Sequence, residues 1–207
     1  MVPGELLGVM IRHFIGEVYA SGASLLSGKL GQKVFDEKFT LCADCNAETN
    51  LSACFFDDEG QVSPDDRPPF VEKGVLKAVL TSKGTAEMLH LPVSGTSSAA
   101  YDGVPSIGLS GFYVAPTAKT VSQLAEGKAI LVVSASGGDM TPDGHFASPV
   151  QMSFLVENGE IVGRLPQLNI AGDFFTLLGD GYLGAVENAF FPSARDTYLC
   201  CRMQVNK

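Results

Sequence analysis

The stretch SFLVENGEIVGRL, residues 153–165, decides how the chain is read. Asn158-Gly159 stands between two apolar runs, 154–156 and 161–162. That dipeptide readily takes positive φ at both turn positions, as a type I′ loop demands, so the stretch reads as an antiparallel hairpin. Working outward, PFVEKGVLKAVLTS carries Lys73-Gly74 between two apolar runs and reads as a second hairpin. Residues 39–43 and 51–56 have strand composition, DDEG at 57–60 closes a turn, and TYLCCRMQV at 197–205 reads as a final strand. The pattern is mostly β.

Helices are few. In GELLGVMIRHFIGEVY the apolar residues Leu7, Met10, Ile11, Phe14 and Val18 recur at helical spacing, which predicts a leading helix over 5–19. Short helices are expected at 84–91 and 122–127. A further one is expected after Asp173, an N-cap ahead of Phe174, Phe175, Leu177 and Leu178, with Gly179 as its stop. The Gly- and Ser-rich segment 93–111 reads as a loop, either flexible or packed close to something.

At 207 residues the chain can bury a substantial core. Its formal charge of −9 argues against direct nucleic-acid binding, which needs clustered Lys and Arg. Apolar runs such as AILVVSAS fall far below the roughly 20 residues that span a bilayer, so no membrane partner is expected. MVPGELLG lacks the basic region of a signal peptide, and a cytoplasmic protein follows. Cys42, Cys45, Cys54, Cys200 and Cys201 are then read as free thiols. Cys42-x-x-Cys45 has zinc-ligand spacing, but no second CxxC exists and none of His13, His90 and His145 lies near in sequence.

Familiar catalytic signatures are absent. GASLLSGKL at 22–30 looks like a phosphate loop, yet five residues separate Gly22 from Gly28 and Leu30 stands where the metal-binding hydroxyl should be. No GxSxG elbow occurs. His13 reads as a surface or rim residue and His145 as part of a solvated turn, while Asp57, Asp58 and Glu59 followed by Gly60 read as an exposed turn. Asp65-Asp66 reads the same way.

The ordered series GEVYASGASLLSGKLGQKV, FTLCAD, FFDDEG, PFVEKGVLKAVLTS, FLVENGEIVGRL and LNIAGDFFTLLGD resembles the C-terminal domain of the TldD/PmbA family, also called TldE-like proteins or modulators of DNA gyrase. The likeness runs from about Glu5 to about Val205, and rests on the collinear order of these segments rather than on any one of them. It implies a single α+β domain over 1–207, predominantly β, with antiparallel, strongly curved or barrel-like sheets. The α/β domain that precedes this region in the family is expected to be absent, leaving either a fragment or a shortened member. It also makes GASLLSGKLGQK a structural turn and cleft element following the family's central helix.

Catalytic members of that family carry HExxxH on this helix, where two histidines and a distant cysteine hold zinc and the glutamate takes a proton. In the register of the glycine segment those places fall at Leu7, Gly8 and Arg12. Leu7 offers no lone pair, Gly8 has no side chain, and Arg12 is a fixed cation that repels Zn²⁺. The resemblance is therefore to the non-catalytic TldE or PmbA branch, with no catalytic residue, metal site or cofactor expected. The partners implied are a second copy or a TldD-like HExxxH-bearing subunit, together with peptide or unfolded protein as substrate. Ser94, Gly95 and Thr96 are candidate walls of a peptide cleft. A self-sufficient metallopeptidase using the cysteines and His145, or a scaffolding module without a proteolytic role, are the alternatives.

Overall fold

The helix expected over 5–19 does not run through. In a computed structural model of the chain, which describes Gly8 and residues 10–48, 50, 53, 55–63, 65–108, 111–135, 138–187, 189–190 and 197–206, Gly8, Met10 and Ile11 are helical. Arg12–Phe14 then tighten into a 3₁₀ turn. Ile15 is extended, at φ −66° and ψ 127°. It bridges in parallel to Leu80, whose N–H donates to the Phe14 carbonyl and whose carbonyl accepts from Gly16. The helix α1, Gly16–Ala20, starts only afterwards. A Cβ on Gly16 would lie 2.9 Å from the Leu80 carbonyl oxygen, so the chain crosses Leu80 where a residue has no side chain. Apolar periodicity cannot register this interruption, because the competing backbone partner is 65 residues away.

The chain forms two compact units, one of Ile11–Ala115 and the other of Pro116–Lys207 with Met1–Met10. In the first, β1 (Leu41–Ala43), β2 (Pro69–Glu72) and β3 (Val75–Leu76) are joined at one side by β6 (Phe112–Val114) into a four-stranded antiparallel sheet ordered β3-β2-β1-β6. The expected Lys73-Gly74 turn closes β2 and β3 with both φ angles positive, 48° and 77°. The helix α2, Lys83–Leu89, is capped by the Ser82 hydroxyl, which accepts from the Thr85 N–H, and ends on His90 in the left-handed region. Between α2 and β6, the short pair β4 (Ser97–Ser98) and β5 (Ser106–Ile107) occupies the segment read as a loop. Phe14, Leu26, Phe39, Leu41, Phe70, Leu76 and Leu80 are buried, with the Phe14 and Phe70 rings edge to face at 6.3 Å.

The second unit is organised by one long strand. After a 3₁₀ turn at Val121–Gln123 come β7 (Lys128–Ala135), β8 (Asp139–Met140) and the 13-residue β9 (His145–Glu157). β9 pairs along its length with β7, β8, β10 (Glu160–Arg164) and β11 (Leu168–Asp173), all antiparallel. Asn158 and Gly159 form the expected two-residue turn, at φ 53° and 89°. Asp173 caps the helix α3, Phe174–Leu178, by accepting from the Thr176 N–H, as its position predicts. The C-terminal stretch read as one strand is two: β13 (Thr197–Cys201) pairs with β12 (Tyr182–Glu187), whereas β14 (Gln204–Asn206) pairs with β11. Val132, Val150, Leu168 and Ile170 form one buried cluster, and Leu131, Val156 and Tyr198 another.

The mostly antiparallel β architecture with few short helices stands as expected, but neither the strong curvature nor the barrel-like closure does. Among the described residues the strands form four open sheets, of four, six, two and two strands. Closing a barrel requires the first and last strands of a sheet to pair. Here β7 and β8 line one side of β9 and β10 and β11 the other, with β14 beyond β11, and among the described residues neither β7 nor β8 pairs with β10 or β14. The strand expected at 51–56 falls partly outside the described residues, and Phe56 makes a single bridge to Val62.

Candidate functional site

The glycine segment after α1 is a packed structural turn. Gly22, Gly28 and Gly31 all take positive φ, yet the N–H groups are not aimed at an anion: Gly22 donates to the Tyr19 carbonyl, Lys29 to Leu26 and Gly31 to Leu76. Ser24 donates to the His13 carbonyl and accepts from Leu26, and Ser27 donates to the Tyr19 carbonyl. Lys33 bridges to Val75, so the segment is laid along the four-stranded sheet.

His13 is buried, not at a rim. Its Nδ1 accepts the Leu25 N–H at 3.2 Å, which fixes the neutral ring with its proton on Nε2. Burial first, and the Arg12 charge second, hold its pKa below the usual 6.5. This histidine thus anchors the glycine segment to the 3₁₀ turn. Beside it, Arg12 is exposed, and a Cβ on Gly8 would meet nothing within 4 Å. Leu7 lies outside the described residues. A glycine and a guanidinium do not fit a zinc ion, since neither residue offers it a side-chain lone pair. Among the described residues, no group of three or more His, Cys, Asp or Glu side chains gathers as a metal would need.

Among the described residues the cysteines gather into no metal-binding group either. Cys42, Cys45, Cys200 and Cys201 are free thiols, and Cys54 lies outside the described residues. Cys42 is buried in β1, where burial is the main cause that pushes its pKa up to about 11. His90 terminates α2 and His145 opens β9, far apart in the chain and each exposed.

Ser94, Gly95 and Thr96 fold back onto the start of α2. The Ser94 hydroxyl accepts the Thr81 N–H and donates to the Thr81 carbonyl, both at 2.9 Å, while the Ser94 N–H donates to the Thr81 hydroxyl at 3.0 Å. The Ser94 and Thr96 hydroxyls lie 2.7 Å apart, and Gly95 between them takes φ +68°. The three residues form a hydrogen-bonded turn.

What sequence reasoning missed is the acidic turn next to it. Asp57 is buried rather than exposed. Its Oδ1 accepts the Glu59 and Gln61 N–H groups at 3.0 and 2.8 Å, and its Oδ2 accepts the Ser97 N–H at 3.1 Å. Asp58 accepts the Ala99 N–H at 2.6 Å, and Glu59 Oε2 accepts both the Lys83 N–H and the Ser97 hydroxyl at 2.7 Å. Three consecutive carboxylates therefore tie 57–61, 97–99 and the first turn of α2 together. The run Asp-Asp-Glu-Gly signals a turn but carries no mark of partners about 40 residues on.

A model of the PmbA/TldA metallopeptidase C-terminal domain matches residues 1–197. The chain belongs to the PmbA/TldD metallopeptidase family. It is 28% identical over 192 residues to a metalloprotease of Archaeoglobus fulgidus, covering 89% of this chain and 44% of that one. It is 26% identical over 181 residues to a zinc metalloprotease TldD homolog of Saccharolobus solfataricus, covering 84% and 40%. In fold it is similar to TldE from Thermococcus kodakarensis, with a TM-score of 0.76 and 21% identity, covering 100% of this chain and 47% of that one. The chain thus spans less than half the length of the relatives it matches. Among the described residues, no helix is long and apolar enough to cross a membrane.

Proposed function

We propose that this chain is a non-catalytic, TldE-like part of a peptidase system, which pairs with a second copy or with a TldD-like HExxxH-bearing subunit and helps to hold extended peptide or unfolded polypeptide for cleavage. The observation that supports this reading is the pair Gly8 and Arg12 at the places of the family's glutamate and second histidine. Water activation by zinc needs lone pairs and a base at those places, and neither residue supplies one. The contribution left to this chain is physical: an extended peptide adds as a strand to a sheet edge, with main-chain hydrogen bonds giving affinity. Strand β10 offers such an edge, since it ends its sheet's pairing order and carries Ile161 and Val162 exposed. As a separate candidate, confined to the Ile11–Ala115 unit, Ser94, Gly95 and Thr96 are proposed to wall a peptide cleft, with Ser94 hydrogen-bonded to Thr81.

The test is the turnover of an unfolded polypeptide by three samples: this chain, an HExxxH-bearing relative, and both together. The chain alone is expected to cleave nothing whatever divalent metal is supplied, and to raise the relative's rate when mixed with it. Metal-dependent cleavage by this chain alone, in a preparation free of other proteases, would overturn the assignment.

A further inference from the structure

A cleft of about 490 Å³ lies wholly within the Pro116–Lys207 unit, where the first residues of β9, the end of β11, the helix α3 and the turn between β13 and β14 converge. Its volume falls in the roughly 300–1,000 Å³ range of small-ligand sites. Phe146, Leu177 and Met203 supply apolar walls, and His145, Asp173 and Arg202 supply polar groups. Two of those groups carry opposite fixed charges that are not spent on each other. Arg202 has no carboxylate within 4.0 Å among the described residues. Asp173 uses Oδ1 to cap α3, while its Oδ2 stands 4.0 Å from His145 Nδ1, beyond hydrogen-bond distance.

We propose that this cleft binds a short zwitterionic peptide, its carboxylate on the Arg202 guanidinium, its ammonium on Asp173 Oδ2, and an apolar side chain against Phe146, Leu177 and Met203. The guanidinium matches a carboxylate through paired N–H donors. Charge balance selects a zwitterion over simpler ligands: a plain anion is repelled by Asp173 and a plain cation by Arg202, whereas a free dipeptide meets both. Such molecules are what peptide hydrolysis releases, so the ligand belongs downstream of a cleavage reaction. The proposal needs no second subunit and does not rest on the function proposed above.

Isothermal titration of the whole 207-residue chain with L-alanyl-L-leucine tests it, set against N-acetyl-L-alanyl-L-leucine and L-alanyl-L-leucinamide. The free dipeptide is expected to bind saturably, and each capped analogue to bind about ten- to hundredfold more weakly, as loss of one charge-assisted contact implies. Arg202→Gln and Asp173→Asn should weaken the free dipeptide by a similar factor. Asparagine caps a helix as well as aspartate does, so Asp173→Asn removes the charge while keeping α3. Equal affinity for free and capped dipeptides overturns the zwitterion assignment without reference to any variant. Absence of saturable binding up to about 10 mM overturns the site, because a ligand weaker than that gains under about 3 kcal/mol.

Discussion

Replacing Asp57 by alanine removes one carboxylate and strands three backbone donors, which makes it the most informative perturbation of the acidic turn. The Ser97 N–H is buried, so it loses its acceptor with no water to replace it, at a cost of about 1–3 kcal/mol. The Glu59 and Gln61 N–H groups belong to half-buried residues and regain part of their bonding from solvent, adding about 0.5–1 kcal/mol each. The sum for Asp57→Ala is about 2–5 kcal/mol, a large share of the 5–15 kcal/mol that holds a typical domain. Asp57→Asn keeps an oxygen for the turn donors but can turn its NH₂ toward Ser97, so its cost is expected at about 1–2 kcal/mol. The chain contains no tryptophan, so urea unfolding is best followed by circular dichroism, with amide exchange at Ser97 and Ala99 as the local readout. Faster exchange at Ser97 should accompany the loss of stability. A change below about 0.5 kcal/mol in Asp57→Ala, or equal costs for the two variants, refutes the assignment of this carboxylate as the hub of the turn.

His13 is neutral in the folded chain with a pKa below 6.5, so the unfolded chain takes up its proton first as pH falls. Its contribution to stability is intact above pH 6.5 and declines between 6.5 and the lowered folded value; His13→Asn should remove that decline in pH-dependent urea midpoints. Gly74→Ala should cost about 3 kcal/mol or more in chemical denaturation, because its Cβ would fall 2.3 Å from the Phe35 carbonyl oxygen in addition to the positive φ. Gly159→Ala, with positive φ but ordinary contact at 3.5 Å to Ser122, should cost only about 1 kcal/mol. Iodoacetamide at about pH 8 should leave Cys42 unmodified in the folded chain, since its pKa is near 11 and its thiol is buried, and should label it after unfolding, as peptide mass mapping would show.

Local chemistry was legible in the sequence wherever a few adjacent residues set the backbone. Asn158-Gly159 turns the chain because positive φ is cheap at both residues, Lys73-Gly74 because it is cheap at its glycine, and Asp173 starts α3 because its carboxylate reaches an N–H three residues on. The missing lone pairs at residues 7, 8 and 12 are equally a property of residue types alone. Tertiary structure decided the rest. Ile15 is extended because Leu80 offers it a partner, and TYLCCRMQV divides because β12 and β11 claim its two halves for different sheets. Asp57, Asp58 and Glu59 became the framework of a turn through donors about 40 residues away, and Arg202 and Asp173 met in one cleft only when β11, α3 and β14 came together. A turn or a cap is a free-energy preference over two to four residues, and it survives in the sequence as composition. A long-range pairing leaves no such mark, because many segments could accept the same hydrogen bond until the packed core leaves one of them within reach.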